Sequence, residues 1–149
     1  ILDFSSKNNC RLVLPIDVVT ADKISDKAET KESEIDNIEE QNMILDIGKN
    51  TVKLIKNEIS KSKTVFWNGP LGVFETSPFD RGTVEIAKFI SNLTANNKIR
   101  SFAGGGDTIS ALDLAGVKDN FSYVSTGGGA LLELIEGKKL PGLVALGIL

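Results

Sequence analysis

Apolar residues along the chain fall into short continuous runs separated by stretches that repeat at helical spacing. The runs at 64–69 (TVFWNG), 99–106 (IRSFAGGG) and 123–129 (YVSTGGG) read as buried strands, and each closes on glycine. Val52, Ile55 and Ile59 recur on one helical face within 50–61, with lysines opposite. Val84, Ile86, Ala87, Ile90 and Leu93 do the same within 81–93, where Thr83 is placed to cap the start. Residues 107–116 predict a helix stopped by Gly116, and 130–137 a helix directly after the last glycines. Earlier, Arg11 to Leu14 predicts a buried strand ended by Pro15, followed by a short extended piece from Val18 to Thr20. MILDIG (43–48) is another short apolar run, and charge-rich 22–42 reads as a solvated surface excursion. Strand and helix alternate, so the pattern predicts an α/β domain with a mostly parallel sheet flanked by helices.

Composition narrows the chemistry. At 149 residues the chain suits one domain, and its apolar share of 41% can supply a core. A net charge of −3 argues against nucleic-acid or anionic-membrane binding through bulk charge. The chain has no histidine, which removes Ser-His, Cys-His and His-metal schemes. Cys10 is the single cysteine, so no internal disulfide or cysteine-based zinc site can form, and a reducing compartment fits. No secretory signal or membrane-spanning run is visible.

The candidate chemistry lies in the turns. In parallel α/β sheets ligands sit beyond the carboxyl ends of the strands, where 68–72, 104–107 and 126–129 all fall. Gly127, Gly128 and Gly129 precede a helix, whose first N–H groups lack intrahelical partners and whose dipole favours negative charge. Such a turn can cradle a phosphate, or it can be a tight strand-to-helix connection with no ligand. Gly104, Gly105 and Gly106 repeat the arrangement and lead into Asp107 and Thr108. Asp107 suits a helix cap or a Mg²⁺ ligand, since Mg²⁺ binds through one or two carboxylates plus substrate phosphates. Thr108 can donate its hydroxyl to a phosphate oxygen. In the third turn Asn68, Gly69 and Pro70 form a sharp bend, and Glu75 is either a ribose acceptor or a solvated side chain. Phe66 and Trp67 end a strand and read as core rather than as a base-stacking platform. Neither GxxxxGK[ST] nor GxGxxG is present, which excludes a Walker triphosphatase and an ordinary dinucleotide fold.

Taken together, TVFWNGPLGVFE (64–75), GGGDT (104–108), STGGGA (125–130) and LELIEGKKLPG (132–142) resemble the C-terminal domain of phosphoglycerate kinase. LVLPIDVVTAD (12–22) and ILDIG (44–48) are similar to further segments of that family. The resemblance implies a Rossmann-like, three-layer nucleotide-binding domain, present here in part over 1–149. It implies a cytoplasmic monomer that transfers a phosphoryl group reversibly between 1,3-bisphosphoglycerate and ADP, giving 3-phosphoglycerate and ATP in glycolysis. Mg²⁺ accompanies the nucleotide, and an N-terminal domain holding the phosphoglycerate is absent from this chain.

By resemblance Leu45 lines the adenine pocket, while Asn68, Gly69 and Pro70 lie near the phosphates and ribose. Glu75 binds the ribose, Asp107 approaches the metal, and Thr108 the phosphates. Gly104, Gly105 and Gly106 leave clearance for phosphate. Gly105, Thr108 and the amides of Gly127, Gly128 and Gly129 serve the transferring group. Two departures stand out. The family's glycine-lysine nucleotide loop is missing, residues 1–10 resembling the tail of the helix that follows it. Leu131 stands where the family usually has Ser. The chain alone is expected to be inactive. The rival readings are a nucleotide-binding module of another kinase or synthetase, and a non-catalytic scaffold with the same fold.

Overall fold

The computed structural model describes residues 1–148. Helix α1 (Leu2–Lys7) leads into an extended segment and then three strands, β1 (Asp17–Ala21), β2 (Lys31–Glu34) and β3 (Met43–Ile47). Helix α2 (Lys49–Lys61) follows, then β4 (Thr64–Asn68), α3 (Arg81–Ala95), β5 (Arg100–Gly104) and α4 (Gly106–Leu114). A 3₁₀ turn (Lys118–Asn120) precedes β6 (Tyr123–Ser125), α5 (Gly129–Ile135) and α6 (Pro141–Ala145). The expected parallel sheet is β4-β5-β6, parallel at both pairings. Among the described residues, no helix is long and apolar enough to cross a membrane.

The helical periodicities have a physical counterpart in one apolar core. Val52 and Ile59 of α2 and Ile86, Ala87 and Ile90 of α3 are buried together with Trp67, Ala103 and Leu112. Trp67 donates its indole N–H to the Gly69 carbonyl and sits against Phe121, with ring centroids 6.4 Å apart. Phe66, expected in the core, alternates to the opposite face and is 39% exposed.

Three local expectations change. Arg11 to Leu14 form no buried strand: all four are exposed and pair with no other strand, and the chain is tethered only beyond Pro15, where the Ile16 and Asp17 amides donate to Thr51 Oγ1. The extended piece at Val18–Thr20 lies inside β1, which pairs antiparallel with both β2 and β3 in a separate sheet. The solvated excursion therefore contains a strand, β2, whose Ser33 turns inward while its neighbours stay exposed. Thr83 does not cap α3. It lies within the helix, fully buried, and its hydroxyl accepts the Leu71 amide at 3.0 Å.

Both long helices are instead capped by aspartates from distant strands. Asp17 of β1 accepts the Asn50 amide at 2.9 Å and the Thr51 amide at 2.7 Å, with a further bond from the Thr51 hydroxyl. A side chain at Gly48 would collide with this carboxylate. Asp46 of β3 accepts the Gly82 amide at 2.7 Å in the first turn of α3. Burial pushes the Asp17 pKa up, but the bonds from Thr51 and Asn50 outweigh it and hold the carboxyl below its ordinary 3.8. Its stabilisation is thus complete above pH 3.8 and is lost as pH falls through the lowered folded value. Asp17→Ala is expected to destabilise the fold by about 1–3 kcal/mol at neutral pH, since the Asn50 and Thr51 amides lose their acceptor while the Thr51 hydroxyl keeps the Asp17 carbonyl. Urea unfolding at pH 7 and pH 3 checks this: the difference between the two proteins shrinks in acid.

Candidate nucleotide site

The three glycine- and asparagine-rich turns meet on one edge. In the parallel register Asn68 stands opposite Gly104, and Gly104 opposite Ser125, so β4, β5 and β6 end level with one another. Parallel strands with their connecting helices make this alignment, and the chain leaves the sheet here by the three turns singled out from sequence. Two hydrogen bonds tie the turns together. Asn68 Nδ2 donates to the Gly104 carbonyl at 2.7 Å, and the Gly69 amide donates to Thr108 Oγ1 at 2.7 Å.

The glycines divide into two groups by what would surround a side chain. Gly105 is required by the fold, and Gly104 is closely packed. A Cβ on Gly104 would meet Leu131 at 2.9 Å, and one on Gly105 would meet Asn68 Nδ2 at 2.9 Å. Gly105 also has φ +97°, which L side chains rarely adopt. Gly106 and Gly129 differ: neither has a positive φ, and nothing lies within 4 Å of the added carbon. Gly128 also faces open space, but its φ of +52° demands glycine on conformational grounds. No internal packing explains Gly106 or Gly129, and both begin helices, where glycine is less favourable than alanine. The open space above Gly106 lies at the first N–H groups of α4, which have no intrahelical acceptor, whereas at the start of α5 the Ala130 and Leu131 amides already donate to the Gly127 and Gly128 carbonyls at 3.1 and 3.2 Å.

Asp107 resolves one ambiguity. The start of α4 is capped by the Gly105 backbone with no side-chain hydrogen bond, so Asp107 is not a capping residue. It is exposed in the first helical turn, with no ion pair among the described residues. No group of three or more acidic, cysteine or histidine side chains clusters among the described residues. A single carboxylate beside free helix amides fits a metal shared with a phosphate, not one caged by protein. Thr108 is 1% exposed, and its hydroxyl oxygen accepts the Gly69 amide, so it orders the neighbouring turn. Thr108→Val is expected to lose about 1–3 kcal/mol by stranding that amide, and Thr108→Ser to retain most of it, by urea unfolding.

Glu75, Leu45 and Gly127 complete the set of expected residues. Glu75 is exposed, at the end of the turn that begins at Asn68. Leu45 is 4% exposed and packs with Ala21 and Phe79. Its backbone carbonyl accepts the Val73 amide at 2.8 Å, which joins β3 to the Glu75 turn. Gly127 is exposed and its amide donates to Ser125 Oγ at 3.1 Å. Sequence reasoning missed Asp46, Thr83, Gly72 and Gly82, which hold that turn from behind. The available signal was an aspartate inside an apolar run, MILDI, with isolated glycines at 72 and 82.

Known proteins share this arrangement. The sequence profile of the phosphoglycerate kinase family matches residues 1–138. Phosphoglycerate kinase from Chelativorans sp. is 49% identical over 142 residues, 95% of this chain and 36% of that protein. The Xanthobacter flavus phosphoglycerate kinase is 45% identical over 98% of the chain and 37% of its own length. Among solved structures, phosphoglycerate kinase from Coxiella burnetii superposes with a TM-score of 0.85 at 39% identity, over 92% of this chain and 35% of that one. The Pyrococcus horikoshii enzyme superposes at 0.78 with 32% identity, over 98% of this chain and 35% of its own. The chain thus spans about 36% of the length of a curated relative it matches.

Proposed function

Because the chain belongs to the phosphoglycerate kinase family, we propose that it forms the nucleotide half of a site for phosphoryl transfer between 1,3-bisphosphoglycerate and ADP. One observation carries this reading: the level ends of β4, β5 and β6, which gather three phosphate-compatible turns on one edge. In this proposal residues 1–149 are part of a C-terminal domain. The acidic substrate is held by a domain outside the chain, so the chain alone does not turn over. The whole protein works as a cytoplasmic monomer.

The chemistry follows from what the edge offers. Phosphoryl transfer needs little covalent participation by protein; positioning and stabilisation of charge supply most of the acceleration. A site without histidine suits that demand. Gly106 and Gly129 leave phosphate oxygens free to approach the first amides of α4 and the Gly129 amide that opens α5, where N–H dipoles oppose their charge. Asp107 would hold Mg²⁺, and the ion would supply neutralisation of the phosphate charge. Asn68, tied to Gly104, and Gly69, tied to Thr108, fix the turn that leads to Glu75, which accepts the ribose hydroxyls.

A coupled assay of a full-length protein carrying this chain tests the reading. ADP-dependent ATP formation from 1,3-bisphosphoglycerate is expected. Mg-ADP binding without turnover would point to a nucleotide-binding module of another enzyme, and no Mg-ADP binding to a non-catalytic scaffold.

A further inference from the structure

Asp46 interrupts an apolar strand, MILDI, and is only 2% exposed. A buried carboxylate is unfavourable unless donors surround it. Asp46 accepts the Ile47 amide at 2.8 Å on one oxygen and the Gly82 amide at 2.7 Å on the other. Two glycines make room for it. A Cβ on Gly72 or on Gly82 would come within 2.5 Å of its Oδ1. The carboxylate therefore lies between the first turn of α3 and the loop that runs from Asn68 to Glu75. That loop is anchored on either side of Gly72, by Leu71 N–H to Thr83 Oγ1 at 3.0 Å and by Val73 N–H to the Leu45 carbonyl at 2.8 Å. Asp46 sits between these anchors in the same wall.

We infer that Asp46 is a positioning residue for the nucleotide site: its carboxylate wedges Gly72 against the start of α3 and so sets the course of the loop carrying Asn68, Pro70 and Glu75. The inference rests on the nucleotide reading of that loop. Asp46 touches no ligand; it acts through the backbone it holds. A cap for α3 alone would need only the bond to Gly82. It would not need a glycine at 72, where a side chain would also meet the Phe79 carbonyl at 2.6 Å.

The charge of this wedge is adjustable near neutrality. Burial pushes the Asp46 carboxyl up to about 6, against the lowering effect of the Gly82 and Ile47 amides. The nearby charges of Asp80 and Glu85, at and within the first turns of α3, are both acidic and add to the rise. The folded value lies above the unfolded one. This group's contribution to stability is therefore fully present below pH 3.8 and is lost as pH climbs to about 6. The sign is opposite to that of Asp17.

The test uses a ligand-free full-length protein carrying this chain, by amide NMR from pH 5 to 7.5, with Asp46→Asn and Asp46→Ala. The amides of Gly69, Leu71, Gly72, Val73 and Gly82 are expected to titrate together with a midpoint near 6, and Asp46→Asn to abolish that titration. Asp46→Ala is expected to increase fast backbone motion at 69–75 while the amides of β5 and β6 stay unchanged. In the full-length protein, Mg-ADP affinity should fall about tenfold in Asp46→Ala and recover in part in Asp46→Asn. Loop amides that neither titrate nor loosen would overturn the inference and leave Asp46 a helix cap. Should Asp46→Ala fail to fold, the titration of the unaltered chain and its loss in Asp46→Asn decide the matter. Absence of Mg-ADP binding by the unaltered protein would overturn the nucleotide reading instead, and the ligand-free titration still decides whether Asp46 holds the loop.

Discussion

Asp107→Ala is expected to lower the turnover of a full-length protein carrying this chain at least about a hundredfold, the scale on which single charge-stabilising groups act in transition states. Stability should change little. The side chain is exposed and caps nothing, and its favourable position in the first turn of α4 is worth about 0.3–1 kcal/mol. The contrast between the two effects is the diagnostic part. A carboxylate that served the helix would show its loss in urea unfolding and leave turnover per folded molecule intact. Asp107→Asn separates charge from shape: it keeps the side-chain size, and it should be nearly as damaging if the carboxylate faces a cation. Measured at saturating and at limiting Mg²⁺, the defect should be larger when the metal is scarce.

Placing a side chain in the open space above the helix starts is expected to produce the second large effect. Gly106→Val and Gly129→Val should each weaken Mg-ADP binding tenfold or more. Neither position has a positive φ or a neighbour within 4 Å, so the fold gives no reason for glycine there. Replacing glycine at a compatible position restricts the unfolded chain, and stability should hold or rise by about 0.4–1 kcal/mol. Gly105→Ala is the control with the opposite signature. Its φ of +97° and the 2.9 Å approach to Asn68 Nδ2 predict a destabilised fold, whatever the ligand does. Gly128→Val is less informative, because a φ of +52° mixes backbone strain with any blocked approach. Calorimetric titration with Mg-ADP beside thermal unfolding distinguishes the cases. Unchanged affinity in Gly106→Val and Gly129→Val would mean that the space above them is not used.

The parts legible from sequence were those set by local pattern. The continuous runs of β4, β5 and β6 and the periodic faces of α2 and α3 were readable because each element's burial is written in its own residues. The edge was readable for the same reason, since parallel strands place their following turns together. What escaped depends on partners far apart in the chain. An extended, apolar stretch at 11–14 looks like a strand until pairing is asked of it, and β2 is too polar to announce itself until β1 lies alongside. Thr83 and Thr108 were read for a cap and a ligand. Thr83 caps nothing, and the hydroxyls of both accept amides from the Asn68–Glu75 loop, 12 and 39 residues away, which leaves the Thr108 O–H still able to donate. Asp17 and Asp46 cap helices across 34 and 36 residues, a relation that local capping rules do not reach. Leu45 carries its part through a backbone carbonyl, which no side-chain pattern reveals.

In the proposed site a nucleotide's phosphates sit on the edge where β4, β5 and β6 end. This placement is tested most directly by adding Mg-ADP to the full-length protein and following backbone amide resonances residue by residue. The largest shifts are expected at Gly69, Gly106, Asp107, Gly128 and Gly129, saturating together, with the opposite edge at Thr64, Arg100 and Tyr123 unmoved. Saturable binding whose shifts gather anywhere else, or no shift in the turns after Asn68, Gly104 and Ser125, would contradict it.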